Sequence, residues 1–354
     1  MSAEFSRNSS PNQIDAFADW ARIQPLPNHV PLWATPQNST GPATAQMSVT
    51  IVLSPSPRQQ TALKQLLVDQ KNPASPDYHH WLTPQEFGAR FGLSDADLAA
   101  IRNWIQSKGL QVTFVAPGRN FVGISGPPAA IGRAFGTEIR KYRVNGSERI
   151  APSSDPLIPA ALAPVIKAIH GLYTVDDRPQ HFITEPQMGR PDLTLSAGTN
   201  FIVPADFATI YDGNVPASGY QQTIGIVGRS RTDPADFQAF IQITGAHFQS
   251  VTEVVPTAFG GVDPGPAYTT PPPKGVSIED QSEATLDVTR AGSVAMNADL
   301  LLVVATAASG GIEADAQYLV QTTPVPTQIM SISFGACESE GGKSGVDFWD
   351  SLFQ

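Results

Sequence analysis

The fold class predicted here is a ferredoxin-like α+β domain followed by a doubly wound, parallel-sheet α/β domain, and three observations predict it. Residues 47–144 read as strand, helix, strand, strand, helix, strand, the order of a split βαβ unit. From Thr223 onward, strands alternate with helices, which implies a parallel sheet covered on both faces. Between these parts lies a polar, proline-bearing stretch without periodicity, residues 174–196, which reads as a linker.

Each element has a local reason. Residues 1–28 form a loose leader rich in Asn, Pro and Ser, and residues 29–173 the first domain. Met47–Leu53 (MSVTIVL) alternates apolar residues as a half-buried strand does. Residues 57–70 carry a broad apolar helical face of Leu63, Leu66, Leu67 and Val68. Thr83 is a capping residue with Pro84 at the first helical position, and Ser94 caps a further helix through Ile101, Trp104 and Ile105. Both sit in the first crossover. Strands are predicted at 110–115 and 120–125, a helix at 127–135 and a strand at 138–144. The run 159–170 (PAALAPVIKAIH) is predicted helical.

In the second domain, 197–354, strands are predicted at 223–227, 250–255, 299–306 and 328–334, with helices at 233–243, 279–297 and 312–319. The pattern stops soon after Trp349 without closing strands, so this domain reads as incomplete.

Composition narrows the function classes. Hydrophobic residues are 41% and charged residues 15% of 354, a globular balance. The single Cys337 excludes an internal disulfide and a cysteine metal cluster. A net charge of −10 without a basic stripe speaks against a nucleic-acid partner. Residues 1–190 carry about +3 and residues 191–354 about −13, which reads either as attraction between the halves while the acids are ionised or as an acidic surface that keeps the protein soluble. No apolar run is long enough for a membrane span, and no secretory signal is visible. Gly225–Ser230 follows a strand but lacks GxGxxG, which argues against a dinucleotide site. The histidines lack metal-ligand spacing.

Glu283 and Asp287 are the candidate chemistry. Four residues apart on a helix, they point the same way. With Asp280 they edge a packing face of Ala284, Val288, Ala291 and Ala295, whereas an ordinary solvated acidic face should lie opposite that seam. An exposed acidic helix remains the alternative. For Ser331-Ile332-Ser333-Phe334-Gly335, the readings are a core strand or one whose backbone pairs with a peptide.

Several ordered motifs carry a resemblance. Ser75–Pro84 (SPDYHHWLTP), residues 85–91, 121–126 and 159–172 are similar to the pro-kumamolisin activation domain. Residues 203–211 and 223–230, Glu283-Ala-Thr-Leu-Asp287 and Ser331–Gly335 resemble the opening of the mature sedolisin-type serine-carboxyl peptidases of family S53. The resemblance implies a prodomain, a linker holding the processing site, and a subtilisin-like peptidase domain. It implies Glu283 as general base, Asp287 as its orienting partner, and Ser331, Ile332, Ser333, Phe334 and Gly335 as the strand lining a peptide cleft. It further implies acid pH, an extracellular location, calcium in the complete domain, and a propeptide packed on its own catalytic domain. A carboxylate suits acid catalysis, because histidine is protonated there and cannot accept a serine proton.

The departures are equally specific. The family's GTS-type nucleophile motif and its GDxG-type oxyanion aspartate do not occur in these 354 residues, nor do calcium ligands; Phe334 stands where tryptophan is frequent. A base without a nucleophile performs no acyl transfer, so these residues alone are expected to be inactive. The rival class is a non-enzymatic propeptide-type chaperone or inhibitor, or the product of a decayed gene.

Overall fold

Period-2 alternation along Met47–Leu53 (β1) places Ile51 and Val52 on opposite faces of one sheet, and both are fully buried. A computed structural model of the chain describes residues 10–15, 17–180, 193–194, 200–211, 222–246, 249–269, 271, 277–307 and 311–354. After β1 come helices α1 (Pro57–Asp69), α2 (Pro84–Phe91) and α3 (Asp95–Ser107). The side chains of Ser56, Thr83 and Ser94 each accept the amide three residues on, and the caps at Thr83 and Ser94 are those expected from sequence. Strands β2 (Gln111–Val115) and β3 (Phe121–Gly126) and helix α4 (Pro128–Ala134) follow.

The fourth strand of this sheet is not the predicted one. Ile139–Val144 (β4) instead forms a hairpin with Ser147–Pro152 (β5), joined by Asn145-Gly146. Both turn residues have positive φ, 50° and 84°, a conformation these two residue types adopt at low cost. The hairpin belongs to a separate sheet with Ser39–Pro42.

The predicted helix over 159–170 is a correction. Only a 3-10 turn, Ala160–Leu162, precedes strand β6 (Ile166–His170). Pro164 lacks the N–H that a helix interior requires. Ile166, Ala168 and Ile169 bury in the sheet by pairing with β1. The sheet order is β2-β3-β1-β6, all antiparallel, and is ferredoxin-like. One face packs on α3 and α4 through Ile101, Trp104, Ile105 and Ile131.

The chain leaves this domain through the two-residue strand β7 (Arg178–Pro179). Helix α5 (Pro204–Ile210) leads to strand β8 (Thr223–Gly228), helix α6 (Pro234–Thr244) and strand β9 (Val251–Val254). Helix α7 (Ile278–Val294), strand β10 (Asp299–Val304), helix α8 (Gly311–Gln321), strand β11 (Ile329–Ile332), strand β12 (Phe334–Gly335) and helix α9 (Glu338–Phe353) complete it. The parallel sheet has the order β9-β10-β8-β11. Ile226, Leu300 and Leu302 face α7, while Val227, Leu301 and Val303 face α8. This is the doubly wound arrangement expected.

The two domains share a core. The ferredoxin-like sheet's second face, with Val52, Phe121 and Ala168, packs on Ala316 of α8 and on Phe348 and Leu352 of α9. Phe348 is fully buried, 5.4 Å from the Phe121 ring centroid and 4.5 Å from that of His170. Tyr173 reaches a kink in α9 at Gly342 (φ 52°), where a Cβ would stand 2.7 Å from its Oη. Glycine meets both demands there, the left-handed backbone and the close approach.

Candidate active site

Helix α7 begins where Ser277 accepts the Asp280 amide, and Glu279 and Asp280 in its first turn complement the helix dipole. Glu283 is 2% exposed, beside Ala284 and Val288 at 1% and 0%. The exposed-acidic-helix alternative therefore fails at Glu283, whose carboxyl lies at the packing seam. Ser282 and Arg290 occupy the exposed side. Thr289, expected on that solvated side, is buried instead and donates its hydroxyl to Thr285 O at 2.7 Å.

Asp287 stands one turn beyond Glu283, half-buried, and its Oδ1 accepts the Ser333 hydroxyl at 2.8 Å. That bond ties the carboxylate helix to the predicted cleft strand. Ser331 and Ile332 belong to β11, in register with Ile226 and Val227 of the central strand. Phe334 and Gly335 peel away as β12, which pairs antiparallel with β7: Arg178 lies opposite Gly335, and Pro179 opposite Phe334. The Gln180 amide extends this pairing by donating to Ser333 O at 2.8 Å. A peptide segment of the same chain thus lies along Ser333–Gly335. Residues 178–180 of the predicted linker are seen this way and 174–177 lead into them; the rest, apart from Leu193–Thr194, lies outside the described residues.

Sequence reading missed Arg229. Its guanidinium donates to Asp280 Oδ1 from Nε (3.1 Å) and Nη2 (2.5 Å), sits 4.6 Å from the Phe334 ring centroid, and donates from Nη1 to Asp177 O at 2.8 Å. One signal was available: Arg229 immediately follows the central strand of a doubly wound sheet, and ligands bind at such carboxyl ends.

Acidic groups crowd the domain junction. His170 Nε2 lies 3.3 Å from Glu313 Oε1. Burial, reinforced by Glu313, pushes the Asp177 carboxyl from 3.8 to about 6, with Arg229 and His170 acting the other way. Asp315 is fully buried, and burial followed by Glu313 pushes its carboxyl well above the carboxylate range. Among the described residues three ion pairs cross the junction with the cation on the first domain: Arg149–Glu340 at 3.9 Å, Lys167–Asp347 at 3.2 Å, and His170–Glu313 when the imidazole is protonated. Their polarity follows the +3 and −13 division of charge.

Ser344, His29 and His79 have structural partners. Ser344 is fully buried and donates to Tyr173 Oη at 2.9 Å. His29 is buried, accepts the Ile169 amide at 3.0 Å, and is held below its ordinary pKa by that burial. His79 stacks on Tyr78 with ring centroids 3.8 Å apart. His181 and His247 lie outside the described residues.

An α+β domain capping a doubly wound domain, with its exit segment paired to a strand that Ser333 ties to Asp287, defines a precursor-type architecture. Residues 36–175 match the family described as Pro-kumamolisin, activation domain. Over 322 residues the chain is 27% identical to kumamolisin of Bacillus sp. (strain MN-32), covering 88% of this chain and 55% of that protein. It is 24% identical over 306 residues to sedolisin of Pseudomonas sp. (strain 101), covering 84% and 49%, and 28% identical over 176 residues to xanthomonalisin of Xanthomonas sp. (strain T-22), covering 48% and 21%. The chain thus carries a Pro-kumamolisin activation domain over residues 36–175 and is similar to the sedolisin-type peptidases along most of its length. It spans about half the length of the first two relatives and about a fifth of the third.

Proposed function

We propose that the chain is the precursor portion of an extracellular, acid-acting serine-type endopeptidase. Glu283 is the general base, Asp287 its orienting partner, and Ser331–Gly335 the strand on which a peptide docks. The single observation that carries this reading is the antiparallel seating of residues 178–180 on Ser333–Gly335, with Asp287 bonded to Ser333 in the same strand. A chain held there is extended, and Ser333 ties the strand it pairs with to Asp287.

The serine that completes the triad has no counterpart motif in these residues, which by themselves are expected to be inactive. Calcium, implied by the resemblance, finds no group of three or more acidic, His or Cys side chains among the described residues, so no step is routed through it. Among those residues no helix is long and apolar enough to cross a membrane.

Peptide hydrolysis by the full-length protein after acid treatment is the test. Glu283→Gln should lower kcat by at least about a thousandfold and Asp287→Asn by less, since it orients rather than transfers the proton. Near wild-type rates at pH 4 in both variants would refute the assignment. Inactivity of the full-length wild type would favour the chaperone or inhibitor class.

A further inference from the structure

Arg229 links three separate parts of the site. Its Nε and Nη2 hold Asp280, one turn before Glu283 on α7. Its guanidinium plane lies over Phe334 of β12. The remaining arm, Nη1, meets the main-chain carbonyl of Asp177, the residue just before the pair seated on β12. The Arg229 and Asp280 side chains are only 11% and 13% exposed, so water competes weakly for these bonds. Two contacts fix the guanidinium, and the third reaches the segment that pairs with the docking strand.

A carbonyl is present in every peptide, so the third contact recognises register rather than sequence. We propose that Arg229 is a main-chain clamp for any peptide lying antiparallel on Phe334–Gly335. In the precursor it grips Asp177; in the processed protein it grips the carbonyl of the substrate residue in the same register. This rests on the reading of Ser331–Gly335 as the docking strand. Lysine is a poor substitute, because a point charge cannot span Asp280 and the carbonyl as a planar fork does.

Hydrogen–deuterium exchange in the 354-residue protein tests the clamp, read at the Gln180 amide that bonds Ser333 O. Arg229→Gln should speed that exchange about ten- to a hundredfold, the weight of one hydrogen bond from a charged donor. Amides of Met47–Leu53 should keep their rates. Asp280→Asn retains the Nη1 donor and should leave Gln180 near wild type. Unchanged Gln180 exchange in Arg229→Gln overturns the proposal. So does an equal rise in Asp280→Asn, which would reduce Arg229 to a brace between helix and strand. In the processed protein, Arg229→Gln should raise KM by a similar factor with kcat nearly constant, and a peptide with that carbonyl reduced to methylene should bind both forms alike. A fall in kcat at constant KM would also overturn it. If the processed protein hydrolyses no peptide, the docking reading alone fails, and the exchange result still decides the clamp.

Discussion

Replacing Asp177 with asparagine removes a charge that its surroundings oppose. Burial and Glu313 lift its carboxyl from 3.8 to about 6 where the exit segment is docked. A released segment, open to water, takes its proton near 3.8. Between those values the docked form holds more protons, so the contribution of this group falls as pH rises through the window. Two units correspond to about 3 kcal/mol; partial exposure of the residue reduces this to about 1–3 kcal/mol of strain on docking at pH 7. Asp177→Asn keeps the main-chain carbonyl that Arg229 grips and removes the strain. Gln180 exchange and chemical denaturation of both proteins at pH 7 and below pH 4 form the assay. The variant should be the more tightly docked at pH 7, and the difference should vanish at the lower pH. Equal docking at pH 7, or a gap that persists below pH 4, would refute the reasoning and point to a lost hydrogen bond instead.

Other expectations follow from the same geometry. The junction pairs Arg149–Glu340, Lys167–Asp347 and His170–Glu313 each contribute about 0–1 kcal/mol, so the propeptide added in trans to a serine-blocked catalytic domain should bind more weakly as salt is raised at pH 7. Binding indifferent to salt would leave apolar contacts as the hold. Phe348→Ala should cost about 3–5 kcal/mol by emptying the shared core, measured by urea denaturation; a loss below 1 kcal/mol would mean the domains do not share it. Because its carboxyl favours the protonated form, Asp315→Asn should raise Tm at pH 7 and change it little at pH 4, and a lower Tm at pH 7 would show that the charge itself is used. Terminal sequencing of acid-processed protein should place the new N-terminus within residues 175–196, and a cut inside 47–172 would contradict the linker assignment.

Local chemistry was legible wherever it was self-contained. The caps Thr83 and Ser94 lie within three residues of the amides they satisfy, and the alternation of MSVTIVL needs no partner to be seen. Glu283 and Asp287 could be named because a four-residue spacing on a helix is a local fact. The run 159–170 was misread for the opposite reason. Its apolar residues suit either period, and what makes it a strand is β1, more than a hundred residues earlier, offering an unpaired edge. Asn145-Gly146 was a readable hairpin signal that the reading passed over.

By itself the sequence determined the two-domain order, the caps, the carboxylate pair and the polarity of charge between the halves. Each depends on neighbours along the chain or on composition. Tertiary structure alone decided that Glu283 is buried, that Asp287 meets Ser333, that Arg229 joins helix, strand and exit segment, and that Asp177 is pressed to a higher pKa. These rest on contacts between residues from 46 to 136 positions apart, and on the loss of water around them. Desolvation and long-range register are properties of the packed molecule, so no window of sequence carries them.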